Sequence, residues 1–132
     1  MNTRLFILSL IIGWLFIGCS GNGEKKSRSV GNMYVEQAYF NCGEMNKSQT
    51  HIKNFHFVLE NKGANVISIH NIDVSCGCVK IDSAPQTILP GKEEMISGHI
   101  DITNQSGKLT KPIYVNFDDN QVVLLRIIGS IK

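Results

Sequence analysis

Ser75-Cys76-Gly77-Cys78 places two thiols one residue apart, flanked by apolar runs. On an extended backbone residues i and i+2 point to the same face, so the two sulfurs are held as a pair. Such a pair has three chemistries open to it. The thiols can pack as small reduced hydrophobes around a glycine corner, close a disulfide that serves thiol exchange, or hold a soft metal such as Cu(I) or Zn(II) through two thiolates.

The compartment is read from the N-terminus. Met1-Asn2-Thr3-Arg4 is a short basic opening, and the apolar run from Leu5 to Ile17 has the length of a secretory h-region rather than of a membrane span. Phe16-Ile17-Gly18-Cys19 resembles the lipobox of bacterial lipoproteins, with Phe16 where Leu is commoner. The resemblance implies a signal peptide over residues 1–18, cleavage before Cys19, and a lipid on that cysteine that holds the protein on a membrane. Ser20 is not the aspartate associated with inner-membrane retention. Glu24-Lys25-Lys26 is a poor match to the acidic tags of surface lipoproteins. The expected location is the cell envelope, on the outer membrane facing the periplasm.

With Cys19 acylated, Cys42, Cys76 and Cys78 remain, an odd set that cannot be fully paired within one chain. They form the candidate thiol site. Zinc prefers four ligands, usually with C-x-x-C spacing, so Cys76, Cys78 and His70 are a thin metal set and no metal or other cofactor is expected. His99 falls on an outward parity, and His51 and His56 are weaker still. No G-x-S-x-G elbow, carboxylate pair or H-E-x-x-H helix is present, and adjacent Asp118 and Asp119 suit a turn better than catalysis. The chain reads as a non-enzyme. Its 13 basic and 11 acidic residues are interspersed, for a net charge of +2, and no basic stripe points to nucleic acid.

The elements that position these residues follow from hydrophobic period. Residues 19–32 are polar and Gly/Ser-rich and read as a lipidated cysteine on a flexible tether, and residues 33–132 as the folded domain. Within that domain short apolar runs alternate with turn residues at roughly 8–12-residue spacing, the pattern of a β-sandwich. Met33 to Phe40 reads as a first strand. Phe55, Phe57 and Leu59 alternate with polar neighbours and should face the core. Ile67 and Ile69 share one parity while Ile72, Val74, Cys76 and Cys78 share the other, which predicts a bulge near His70-Asn71 and a core-facing cysteine pair. Ile88-Leu89-Pro90-Gly91 reads as an edge segment entering a turn. Ile96, Gly98, Ile100 and Ile102, then Ile113, Val115 and Phe117, give further alternating strands, and Val122 to Ile131 closes the chain. The expectation is an all-β, immunoglobulin-like sandwich of about seven antiparallel strands.

The ordered set Phe55-His56-Phe57, Asn61-Lys62-Gly63, Ser75-Cys76-Gly77-Cys78, Leu89-Pro90-Gly91 and Ile128-Gly129 resembles the bacterial family called domain of unknown function 1573, over roughly Tyr39 to Lys132. One departure is Cys42, where the family often has phenylalanine. The resemblance implies a relative of the Hydin-type and major-sperm-protein-type immunoglobulin-like sandwiches, often carried on lipoproteins, and implies no activity. The expected function is a tethered binding or structural module that meets an envelope protein through a strand edge, with Met33 to Phe40 or Val122 to Ile131 as the edges. The alternative is thiol redox or soft-metal handling at Cys76 and Cys78.

Overall fold

The computed structural model describes residues 27–132, and the expected signal peptide, Cys19 and most of the expected tether lie outside the described residues. Ten strands make two five-stranded sheets packed face to face. The first sheet has the order β1 (Arg28–Val30), β2 (Met33–Val35), β4 (Ile52–Asn61), β8 (Glu93–Asp101), β6 (Val79–Ser83). The second has the order β3 (Tyr39–Met45), β10 (Gln121–Ile131), β9 (Gly107–Phe117), β5 (Ile67–Val74), β7 (Thr87–Ile88). Among the described residues every element is a strand.

The alternating residues form the core as their period requires. Phe55, Phe57 and Leu59 of β4 face Ile96 and Ile100 of β8 across the ladder's inner side, and Ile113, Val115 and Phe117 answer from β9. All are buried. Each such side chain contributes about 1.5–3 kcal/mol on transfer from water, which is what holds two sheets together without a helix. The bulge expected near His70-Asn71 is present as a register shift between Ile69 and Asn71 in the pairing of β5 with β9.

Four expectations are corrected. Instead of about seven strands there are ten, because short segments at both ends of the sandwich also pair. The tether does not run to Asn32: Arg28–Val30 is a strand, joined to β2 by a two-residue Gly31-Asn32 loop. Gly31 has φ +53°, as a tight hairpin with a positive first loop position requires. Met33 to Phe40 is not one strand. β2 leaves the first sheet after Val35, and the chain crosses at Glu36-Gln37-Ala38 to enter the second sheet as β3, parallel to β10. Finally, Val122 to Ile131 is no edge, since β10 pairs with β3 on one side and β9 on the other.

The crossing at Glu36 has a consequence for β4. β8 pairs with β4 along Ile52 to Glu60, whereas β2 reaches only Asn61 and Glu60. Among the described residues, one side of β4 therefore has no paired strand over most of its length.

Candidate functional site

The cysteine corner joins β5 of the second sheet to β6 of the first, so the chain changes sheets within Ser75-Cys76-Gly77-Cys78. Cys76 and Cys78 are disulfide-bonded, with Cα atoms 5.1 Å apart. The Cys78 backbone N–H also donates to Cys76 Sγ at 3.2 Å. Both residues are half-buried rather than enclosed, and Cys78 packs against the core cluster. The bridge lines a cleft of about 380 Å³ together with Ile52, Lys80, His99 and Asp101. His99 Nδ1 lies 2.9 Å from Asp82 Oδ2. The Asp101 carboxylate accepts from Thr103 Oγ1 at 2.6 Å and from the Thr103 N–H at 2.9 Å. Those two hydrogen bonds, assisted by the nearby imidazoles of His51 and His99, hold its pKa below the usual aspartate range.

The other sequence candidates do not converge on this corner. Cys42 is a free, buried thiol on β3, at the far edge of the second sheet from β5. Three strand spacings, about 14 Å, separate the two strands. The set of three thiols is thus corrected to a pair and a separate residue. Burial pushes the Cys42 thiol pKa up, with Lys53 opposing. His70 is exposed at the β5 bulge. Among the described residues no group of three or more His, Cys, Asp or Glu is placed to hold a metal, and a disulfide leaves neither sulfur as a thiolate ligand.

These placements predict an alkylation ladder. Folded, unreduced protein is expected to take no label at Cys42, Cys76 or Cys78; mild reduction opens two positions, and only denaturant opens Cys42. Peptide mapping reads the order, and labelling of Cys42 before denaturation would contradict it. Because only one residue separates the bridged cysteines, reduction should lower stability by at most about 2 kcal/mol in a loop-entropy account.

A second site went unseen in the sequence, because it depends on which strands fail to pair. On the β8 side, at the C-terminal end of β4, the Asn61 N–H donates to Lys92 O at 3.0 Å, and at its N-terminal end the Ile102 N–H donates to His51 O at 2.8 Å. Both fix the same alternation: the odd-numbered residues of β4 turn their backbone groups toward β8, and the even-numbered ones turn theirs away. Consistently, the Lys62 N–H donates to Asn32 O at 2.8 Å on the opposite side. The backbone groups of His56 and Val58 therefore point to the side that β2 has vacated.

Beside them lies a groove of about 440 Å³ between β4 and the crossing segment. Phe40 forms part of its wall, with ring centroids 6.3 Å from Phe55, 5.8 Å from His56 and 6.4 Å from Phe57, all edge to face. Glu36, Glu60 and Glu93 also line it, and among the described residues no Lys or Arg does. The nearest cations are held at its rim by tyrosines that line it: Lys62 Nζ sits 3.6 Å over the Tyr34 ring. Arg28 and Arg126 donate to Tyr39 Oη at 3.5 and 3.1 Å. The Arg28 hydrogen bond, with the charge of Arg126, draws the Tyr39 pKa down. On the outer face Val58 and Met95, opposite each other across the ladder, remain 41% and 52% exposed.

Solved structures share this architecture. A protein of unknown function from Porphyromonas gingivalis W83 is 17% identical, with a TM-score of 0.61 over 77% of this chain, which spans 46% of that one. The ASH / PapD-like domain 7 of human CEP192 is 7% identical, with a TM-score of 0.61 over 80% of this chain and 90% of its own. The periplasmic chaperone SfaE is 12% identical, with a TM-score of 0.51 over 76% of this chain and 57% of its own. At these identities the likeness is one of fold, that of PapD-like and immunoglobulin-like sandwiches. No curated protein matches the sequence. A family model described as protein of unknown function (DUF1573) matches residues 33–131.

Proposed function

The chain belongs to the DUF1573 family, and from that premise we propose that it is a lipid-anchored, non-catalytic module of the bacterial cell envelope that holds a protein partner through a strand edge. The observation that carries the reading is the half-paired β4. A strand inside a sheet whose backbone groups lack a partner is a template for an added strand, with main-chain hydrogen bonds supplying affinity. The anchor rests on the lipobox-like Phe16-Ile17-Gly18-Cys19; Ser20 and the Glu24-Lys25-Lys26 run support a location on the outer membrane facing the periplasm, and the interspersed charges support no role for nucleic acid.

The anchor is tested by Cys19→Ser. The variant is expected to shift from the membrane fraction to the soluble fraction and to lose palmitate labelling; retention of both contradicts the reading. Partner holding is tested by placing a photo-crosslinking residue at Val58 of the anchored protein in intact cells. One discrete adduct, absent when the residue is moved to exposed Asp119, is the expected result, and identical patterns at the two positions contradict it.

A second reading is favoured by the half-exposed Cys76–Cys78 bridge beside Lys80 and His99: reversible thiol–disulfide exchange with an extracytoplasmic dithiol protein. One partner thiolate would attack a bridge sulfur and displace the other as thiolate; the partner's second thiol then resolves the mixed disulfide. The partner leaves oxidised, and Cys76 and Cys78 are left reduced. Equilibration in glutathione buffers decides it, since a potential above about −250 mV fits exchange and one below about −300 mV fits a structural bridge.

A further inference from the structure

We propose that the groove beside β4 takes a cationic extended segment of a partner protein, in which Lys or Arg alternates with apolar residues, as an added strand of the first sheet. This rests on the strand-edge reading above and names the chemistry of what the edge holds. Three observations converge on it.

The first is the backbone. His56 and Val58 direct their N–H and C=O groups into the space that β2 vacates at Glu36, and among the described residues nothing pairs with them there. Two alternate residues with free donor and acceptor groups set the spacing of an incoming strand, because the period of such pairing is two residues. The second is charge. Glu36, Glu60 and Glu93 line the groove, and among the described residues no Lys or Arg does, the cations at its rim being already held on Tyr34 and Tyr39. An acidic strand there would meet like charges, whereas a strand with cations at alternate positions places them on one side, toward the carboxylates. The third is the apolar surface between them. Val58 shares the outer face with Glu60 and Glu93 and can flank the aliphatic stems of the cations, while the Phe40 ring, packed against inward-facing Phe55 and Phe57, offers a contact for guest residues of the opposite parity.

The groove also limits the length of its guest. β2 still pairs with Glu60, and β4 begins at Ile52. Ile52 O on the open side already accepts from Thr50 Oγ1 at 2.9 Å. The free stretch thus runs from Asn54 to Val58, room for about five or six residues of strand.

The test is an NMR titration of the soluble domain with an acetylated, amidated hexapeptide of alternating lysine and valine. Three control peptides accompany it: an alternating glutamate and valine peptide, a lysine and valine peptide N-methylated on alternate residues along one hydrogen-bonding edge, and the isomer methylated along the other edge. Saturable shifts centred on the His56 and Val58 amides are expected, with binding by the anionic peptide at least about tenfold weaker. One of the two methylated isomers should lose binding, because only one edge of the guest pairs with β4. E60Q/E93Q should weaken the cationic peptide by about tenfold, the scale of two exposed charge pairs, and leave the fold intact. Equal binding of the two charge types, retention by both methylated isomers, or shifts centred on another edge would overturn the proposal. So would absence of binding to protein with a folded spectrum. The strand-edge module itself fails only if the Val58 crosslink in cells is also lost, so the two failures are separable.

Discussion

Replacing Gly98 by alanine is expected to cost about 3 kcal/mol and to lower Tm by about 15 °C. Gly98 lies on β8 between Phe55 of β4 and Ile81 of β6. A Cβ there would run into the carbonyl oxygen of Lys80, and would sit 2.6 Å from Cζ of Phe55. Turning the ring leaves Cζ on its own axis, so buried Phe55 must shift bodily, and the carbonyl belongs to the neighbouring strand and moves only if the β6–β8 ladder moves with it. The cysteine corner opens directly into β6, so the same displacement reaches the Cys76–Cys78 bridge. Thermal denaturation of Gly98→Ala checks the size of the effect. Gly77→Ala is the control, since a Cβ at Gly77 meets nothing within 4 Å, and its Tm should stay close to that of the parent.

Asn61→Ala should be comparably damaging. Among the described residues Asn61 is the buried polar residue of the core, fully enclosed. Its Nδ2 donates to Asn65 O at 2.7 Å and to Ile88 O at 2.8 Å, while its Oδ1 accepts from the Gly63 N–H at 2.9 Å. One side chain thereby ties the turn after β4 to β7 of the other sheet. Truncation strands the Ile88 carbonyl without a donor in a buried setting, and with the other two bonds lost a cost of about 3 kcal/mol follows. Asn61→Asp separates this account from a packing effect. An ionised carboxylate cannot donate, and it would face two carbonyl oxygens, so its folded pKa must rise above the unfolded value. A raised acid contributes stability that is present below the unfolded pKa and is lost as pH climbs through the folded one. Asn61→Asp should therefore be worse than Asn61→Ala at neutral pH and improve relative to it on acidification, read by denaturant unfolding at several pH values. Equal pH profiles for the two variants would contradict the hydrogen-bonding role.

Much of this frame is legible in the residues themselves. The alternation at Phe55, Phe57 and Leu59 and at Ile96 to Ile102 states which side faces inward, because the period of a strand is two and burial enforces register. The parity change from Ile67 and Ile69 to Ile72 and Val74 locates the bulge for the same reason. A parity change is also present between Met33 and Val35 on one side and Ala38 and Cys42 on the other, all buried, and it marks the crossing between sheets. Taking Met33 to Phe40 as one strand overlooks it. The pairing of Cys76 with Cys78 is not decided by parity, since a shared face fits a disulfide, reduced thiols and two metal ligands alike. The β4 groove is not legible locally at all. It exists because β2 stops three residues into its pairing run and reappears in the other sheet, which no property of β4 reports.

The open edge of β4 is the claim on which the functional account stands, and native-state amide exchange of the uncomplexed domain tests it most directly. The Phe57 and Leu59 amides, directed to β8, should be protected close to the global limit. Those of His56 and Val58 should exchange roughly a hundredfold faster or more. Protection of all four amides to the same degree in the free protein would mean that the edge is already filled, and would contradict the account.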